Sequence, residues 1–259
     1  MHSTSSTLRL PLSALAMAIC LGLAGCGDSD STPIFQPIRS LIPDAPRDNR
    51  EAEEAALWLS GELFASEESY QTIAGDLAAV RNEFMPTIPR LDVEFNAPWQ
   101  VGELLLGLTE SGVDAIRNGE LAALDSLNVE YHLAVMDTSR LDDSTPFLVL
   151  EFMGRLHPQR LAEIYGDLDH IRYAEPNGRW GDWSNVYPWV VDGSRTYLFR
   201  YAWGDCPAGC ISSRFWYFRV VSSGIEYVGT WEFPADPEPA WWSEARVAYH
   251  RFRGWPQPD

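Results

Sequence analysis

Two apolar periodicities divide the chain. Between residues 48 and 86 apolar positions recur three and four apart, as on one face of a helix: Tyr70, Ile73, Leu77, Val80 and Phe84 form one stripe. Asp48 with Glu51 has the spacing of a capping box, and Ser66 before Glu67 and Glu68 reads as an N-cap followed by acids that suit the helix dipole. Pro86 and Pro89 close this helical segment.

From residue 99 the pattern becomes short apolar runs alternating with helical stretches. Val101–Leu108 reads as a strand, Ser111–Leu127 as a helix broken at Gly119, Val129–Met136 and Phe147–Arg155 as strands, and Ile171–Ala174 as a last strand. His157-Pro158 opens a helix that runs to Gly166, with proline at the favoured first position. The order β-α-β-β-α-β over 99–177 is the ferredoxin-like split pattern. The expected fold class is α+β: an N-terminal helical segment (48–98), this unit (99–177), and an aromatic antiparallel sheet (178–235) stapled by a disulfide.

Within that sheet, residues 196–221 carry two aromatic-rich runs around Cys206-Pro207-Ala208-Gly209-Cys210. Pro207 suits the second position of a type I turn and Gly209 a left-handed position, so a three-residue hairpin loop is expected with Cys206 opposite Cys210. Counting outward pairs Tyr201 with Phe215, Arg200 with Trp216 (a cation–π contact) and Phe199 with Tyr217. Tyr197, Phe199, Tyr201, Trp203, Phe215 and Tyr217 would then share one face. A disulfide across so small a loop constrains the unfolded chain by about 2 kcal/mol. A redox pair or half of a zinc site are the functional alternatives, but redox motifs usually hold two intervening residues and no histidine lies nearby. Ile225–Phe233 alternates as a third strand. The C-terminal stretch 236–259 fits a helix or a fourth strand equally well. Residues 176–195 read as a Gly- and Trp-rich loop in which Trp180, Trp183, Tyr187 and Trp189 are a candidate platform for a glycan or peptide ligand.

Charge removes whole classes of function. The formal net charge is −18, which repels phosphate backbones and argues against a nucleic-acid partner. None of the 19 basic residues counted as Lys or Arg is lysine, so P-loop, Schiff-base and lysine-base chemistry are excluded together. No metalloprotease, nucleophile-elbow, dinucleotide, Walker or EF-hand motif occurs, and no cofactor or metal is expected. The turn Asp167-Leu168-Asp169-His170 and the pair Asp142-Asp143 read as solvated loops. A carboxylate-dependent hydrolase needs only two acids, and the sequence nominates no pair.

The N-terminus sets the expected address. One arginine precedes an apolar run from Leu10 to Leu23, short for a bilayer span, and Leu23-Ala24-Gly25-Cys26 resembles the lipobox of bacterial lipoproteins. The resemblance implies cleavage after residue 25 and acylation of Cys26, hence a membrane partner through the N-terminal lipid and a globular part outside the cytoplasm. Residues 26–47 contain Pro33, Pro37, Pro43 and Pro46 and read as a tether, spanning up to roughly 60–70 Å if extended.

A second resemblance covers 99–177. VGELLLGLT and LHPQRLAEIYGDLDHIRYAEPN are similar to the propeptide or I9-type inhibitor domains that precede subtilisin-like proteases. It implies that the segment after the last strand, with Tyr173, Glu175, Pro176 and Asn177, would act as an inhibitory tail in trans. Only 82 residues follow Asn177, without a protease nucleophile motif. The expected function is therefore a non-catalytic binding or structural module of the envelope, with inhibition as the alternative.

Overall fold

A computed structural model describes residues 47–254. Cys26, the export signal and residues 26–46 of the tether lie outside the described residues. The chain opens with α1 (Arg50–Ser60) and α2 (Glu67–Phe84). The Ser66 hydroxyl accepts from the Ser69 N–H and caps α2 as its sequence implied. At α1 the cap is Asn49, whose side chain accepts from Ala52 N–H, rather than Asp48. Glu51 is not the far half of a capping box. It turns inward, buried, and takes two 2.7 Å hydrogen bonds from Arg81.

Next come β1 (Trp99–Leu108), α3 (Glu110–Asn118), α4 (Ala122–Glu130), β2 (Leu133–Arg140), β3 (Phe147–Phe152), α5 (Pro158–Gly166) and β4 (Ile171–Gly178). They form an antiparallel sheet of order β2-β3-β1-β4, the ferredoxin-like βαββαβ arrangement. The second strand begins at Leu133, not at Val129 as its sequence suggested. Val129 and Tyr131 have strand propensity, but the helix runs on to Glu130 and buries Tyr131 against Tyr165, with ring centroids 6.2 Å apart. Tertiary packing outweighs local preference there.

The second sheet is β5 (Asn185–Val191), β6 (Ser194–Trp203), β7 (Ser212–Val221) and β8 (Gly224–Phe233), in that spatial order, followed by α6 (Trp242–Phe252). β5 corrects the reading of 176–195 as loop throughout. Pro188 lies in mid-strand, which is tolerated because β5 is an edge. The C-terminal stretch forms a helix, not a fourth strand, because the sheet needs a cover: Trp242, Ala245, Tyr249 and Phe252 are buried against it.

The β6–β7 register is one residue away from the expected one. Phe199 faces Trp216, Arg200 faces Phe215 and Tyr201 faces Arg214. The connection runs from Gly204 to Ile211, so the Cys206–Cys210 disulfide closes a turn inside that loop rather than bridging the strand ends. A one-residue slip regroups whole faces. Leu198, Arg200, Phe215 and Tyr217 now face α6, while Tyr197, Phe199, Trp216 and Phe218 face α1 and α2. Arg200 consequently lies on the opposite face from Trp216, with its guanidinium 5.7 Å from the Tyr249 ring instead.

Two cores result. Leu104, Leu106, Leu148 and Leu150 pack under α3–α5 with Val113, Leu161 and Tyr165. The larger core joins α1, α2, the second sheet and α6. The helices of this segment pack mainly on the distant aromatic sheet, where Phe84 meets Phe218 at 5.0 Å and Tyr227 at 5.9 Å, while Leu63 and Phe64 between them reach the core of the unit that follows in sequence. β1 serves both cores. Its register shifts between Trp99 and Leu104 at Gly102, where φ is +75° and a Cβ would meet the Gly154 carbonyl at 2.7 Å. The bulge sends Trp99 into the larger core and Leu104 into the smaller. His157 is buried at this junction, its ring 5.1 Å from that of Trp99. Burial, aided by the positive charge of Arg160, lowers its pKa to about 4, so the imidazole is neutral at pH 7.

α1 holds the two halves in register through three buried glutamates. Glu51 binds Arg81 and the Phe95 N–H. Glu53 accepts from Arg47 and from Arg155 of the β3–α5 connection, at 3.0 and 2.7 Å. Glu54 accepts from Arg50 and the Ala97 N–H, with Arg179 at 3.9 Å. The run Glu-Ala-Glu-Glu reads as a solvated helix face, yet each carboxylate meets a different segment.

Candidate functional site

The site grows from the loop that joins the two sheets, residues 179–184, where it meets the β6–β7 loop. Asp182 locks these loops together. Its N–H donates to the Cys206 carbonyl at 3.0 Å, and its Oδ2 accepts from the Cys210 N–H at 3.0 Å. Both backbone contacts fall on the disulfide-linked pair, so the staple shapes the binding frame for one carboxylate. Arg200, from the middle of β6, reaches the same carboxylate through two bonds of 2.5 and 2.8 Å. Arg253, just past α6, donates to it as well. Arg200 also binds Ser213 Oγ at 2.8 Å and the Trp183 carbonyl at 3.2 Å.

Burial pushes the Asp182 carboxyl up, but hydrogen bonds and charge from Arg200, the charge of Arg253 and the Cys210 N–H together outweigh it and hold the group below its ordinary value. Asp182 is therefore a fixed anion held by several donors, unsuited to moving a proton. Burial raises the pKa of the neighbouring Tyr187 phenol, which stays neutral.

This braced frame presents tryptophans to water. Trp180 is 92% exposed and Trp183 37%. Trp183 lies over Gly181, where φ is +95° and a Cβ would come within 2.7 Å of the indole. Trp203 and Ile211 are exposed at the same end of the sheet. Beside Trp183 a cleft of about 210 Å³ is lined by Asn96, Arg179, Asp182, Asn185, Tyr187 and Arg253, among others.

The four aromatic positions expected as one platform separate. Trp180 and Trp183 are at the surface. Tyr187, 2% exposed, belongs to the core and contributes only to the cleft floor, with its ring against Tyr249 and Phe252. Trp189, partly buried, stacks on Tyr217 at 5.2 Å and packs against the aromatic core. The reason is β5: strand alternation turns Tyr187 and Trp189 toward α6.

The tail expected to be inhibitory is no tail. Tyr173, Glu175, Pro176 and Asn177 all lie in β4, because β1 begins early enough for Trp99 to pair with Gly178. Asn177 Nδ2 donates to Glu103 at 2.8 Å, and Tyr173 lies across Gly107, where a Cβ would fall 2.1 Å from its ring. Glu103 faces Glu151 across β1 and β3, on the sheet surface away from α3–α5. In the Asp167–His170 turn, His170 Nδ1 pairs with Ser111 Oγ at 2.9 Å in an exposed setting. Among the described residues no three His, Cys, Asp or Glu side chains gather as a metal site requires.

Sequence reasoning missed Asp182, Arg179, Asn96 and Arg253. One signal was present: an arginine amid the apolar run of β6 must find a buried partner. Which of many acids supplies it depends on the fold. No protein-family model, curated protein or solved structure matches this chain.

Proposed function

We propose that this protein is a lipoprotein of the bacterial cell envelope, anchored by acylated Cys26, whose globular part is a binding module for a glycan or peptide. The anchor rests on Leu23-Ala24-Gly25-Cys26 at the end of an apolar run. Among the described residues no helix is long and apolar enough to cross a membrane.

One observation carries the binding reading: Trp180 stands 92% exposed on a loop whose neighbour Asp182 is fixed by two arginines and a disulfide-closed turn. A buried ion pair adds little net stability compared with apolar packing, so its value here lies in fixing a conformation. A rigid loop that already displays its indole loses little conformational freedom when a ligand covers it. Aromatic side chains bury roughly 150–250 Å² each, enough for a hot spot.

Two variants of the full chain test the two parts. Cys26→Ser should move the protein from the membrane fraction to the soluble fraction, and unchanged membrane retention would refute the anchor. Trp180→Ala should weaken capture of the best ligand found on glycan and peptide arrays at least tenfold, with an unchanged melting temperature. Equal capture by both chains would refute the platform.

A further inference from the structure

Trp183, Arg179 and Asn96 line two depressions at once. The inner one, about 210 Å³, is closed by Asp182, Tyr187 and Arg253. The outer one, about 450 Å³ and shallower, continues over Ser184, Ala202 and Cys206. We propose that the pair is a two-subsite groove for an acidic oligosaccharide, with a uronic acid ring in the inner cleft and the next ring against Trp183 in the outer one. This rests on the binding reading above, with Trp183 of the same loop and not Trp180 lining the groove, and names its ligand class.

Charge selects an anion. In a chain of net charge −18, the inner cleft is lined by two guanidiniums, Arg179 and Arg253, and one carboxylate, Asp182, to which Arg253 is paired, while Arg179 lies 3.9 Å from Glu54. Arg200 shares the Asp182 carboxylate, so Arg179, Arg200 and Arg253 meet two carboxylates, Asp182 and Glu54, and one positive charge is in excess. A local excess of cation in a partly enclosed site concentrates field lines and draws anions. The planar guanidinium fork matches a carboxylate bidentately. A longer polyanion such as nucleic acid would run onto the acidic remainder of the surface.

Size and arrangement select a sugar. The inner cleft is smaller than the ~300–1,000 Å³ of drug-sized pockets, so it takes one ring-sized unit. A second depression that shares Trp183 with the first suits a ligand built of repeating rings, whose C–H faces pack on an aromatic surface while their polar edges stay wet. The amides set little of the preference. Asn185 is engaged with the main chain at Asn96 and Val186, and Asn96 Oδ1 accepts from Arg50. The arginines therefore decide which ring enters.

The test is calorimetric titration of the full chain in detergent with tri-galacturonate, with the neutral trisaccharide of galactose, and with triglutamate. Tri-galacturonate should bind at least tenfold tighter than either. Its affinity should fall severalfold between 50 and 300 mM salt (roughly the behaviour of a partly screened ion pair), while any neutral-sugar affinity should not. Arg179→Gln should bring the acidic-to-neutral affinity ratio close to one. Arg179 also donates to the Trp99 carbonyl at 3.1 Å, so the salt titration of the unaltered chain decides the matter if that variant does not fold. Equal binding of acidic and neutral sugar overturns the charge argument and leaves the tryptophan platform standing. Tighter binding of triglutamate overturns the sugar assignment. Absence of binding by all three overturns the groove; the platform then stands or falls on Trp180→Ala.

Discussion

Asp182→Ala should cost about 3–5 kcal/mol, the range seen when one partner of a buried ion pair is removed. Arg200, with 3% of its side chain exposed, would be left as a buried cation, and the Cys210 N–H would lose its acceptor. For a body of this size that corresponds to a fall in melting temperature of roughly 10 °C. Asp182→Asn separates charge from shape. Its amide occupies the same space but cannot balance Arg200 and Arg253, so most of the loss should remain. The sign of the pH dependence follows from the lowered carboxyl pKa. The unfolded group, at 3.8, takes up its proton before the folded one. The contribution of Asp182 is therefore complete well above pH 4 and disappears as pH falls through the folded value. Thermal melts of the unaltered chain and of the Asp182→Asn variant between pH 3 and 7 should converge at the acid end. Melting within 2 °C of the unaltered chain (roughly under 1 kcal/mol) at pH 7 for Asp182→Ala would show that the loops hold without the ion pair.

Glu51→Ala should be comparably damaging, although it is far from the candidate site. Glu51 accepts from both terminal nitrogens of Arg81 and from the Phe95 N–H, each at 2.7 Å. Arg81 in turn donates to the carbonyls of Leu91 and Val93, so this one carboxylate ties α1, α2 and the segment leading into β1. Removing it leaves a half-buried guanidinium and a buried amide without their acceptor. The expected loss is about 3 kcal/mol or more. By contrast, Glu67→Ala, at an exposed partner of Arg47, should change stability by under ~1 kcal/mol. Denaturant melts of the two variants test the contrast, and equal midpoints would show that the buried glutamate contributes no more than a surface one.

The order of the ferredoxin-like unit was legible because most of its elements declare themselves locally, although the start of β2 and the end of β4 did not. Leu104, Leu106 and Leu108 alternate with Glu103, Leu105 and Gly107, and Pro158 begins its helix at the first position. Gly119, with φ of +70°, ends α3 at the break its sequence suggested. The second sheet was legible only in outline. Both its faces are covered, by α1 and α2 on one side and by α6 on the other, so apolar and aromatic residues occur at successive positions and no polar alternation marks the inner side. Without that mark the β6–β7 register depended on the assumed turn, and the longer loop shifted it by one. For the same reason Tyr187 and Trp189 read as loop aromatics and not as core.

Local sequence was enough for the α+β class, the order of the βαββαβ unit, the helix starts at Ser66 and Pro158, and the pairing of Cys206 with Cys210, because each depends on residues close in the chain. Which acids became partners was left to the folded arrangement. Glu53 meets Arg155 across 102 positions and Arg253 meets Asp182 across 71. The energy that selects one carboxylate over another comes from burial, and burial exists only once both sheets and α6 have closed over it.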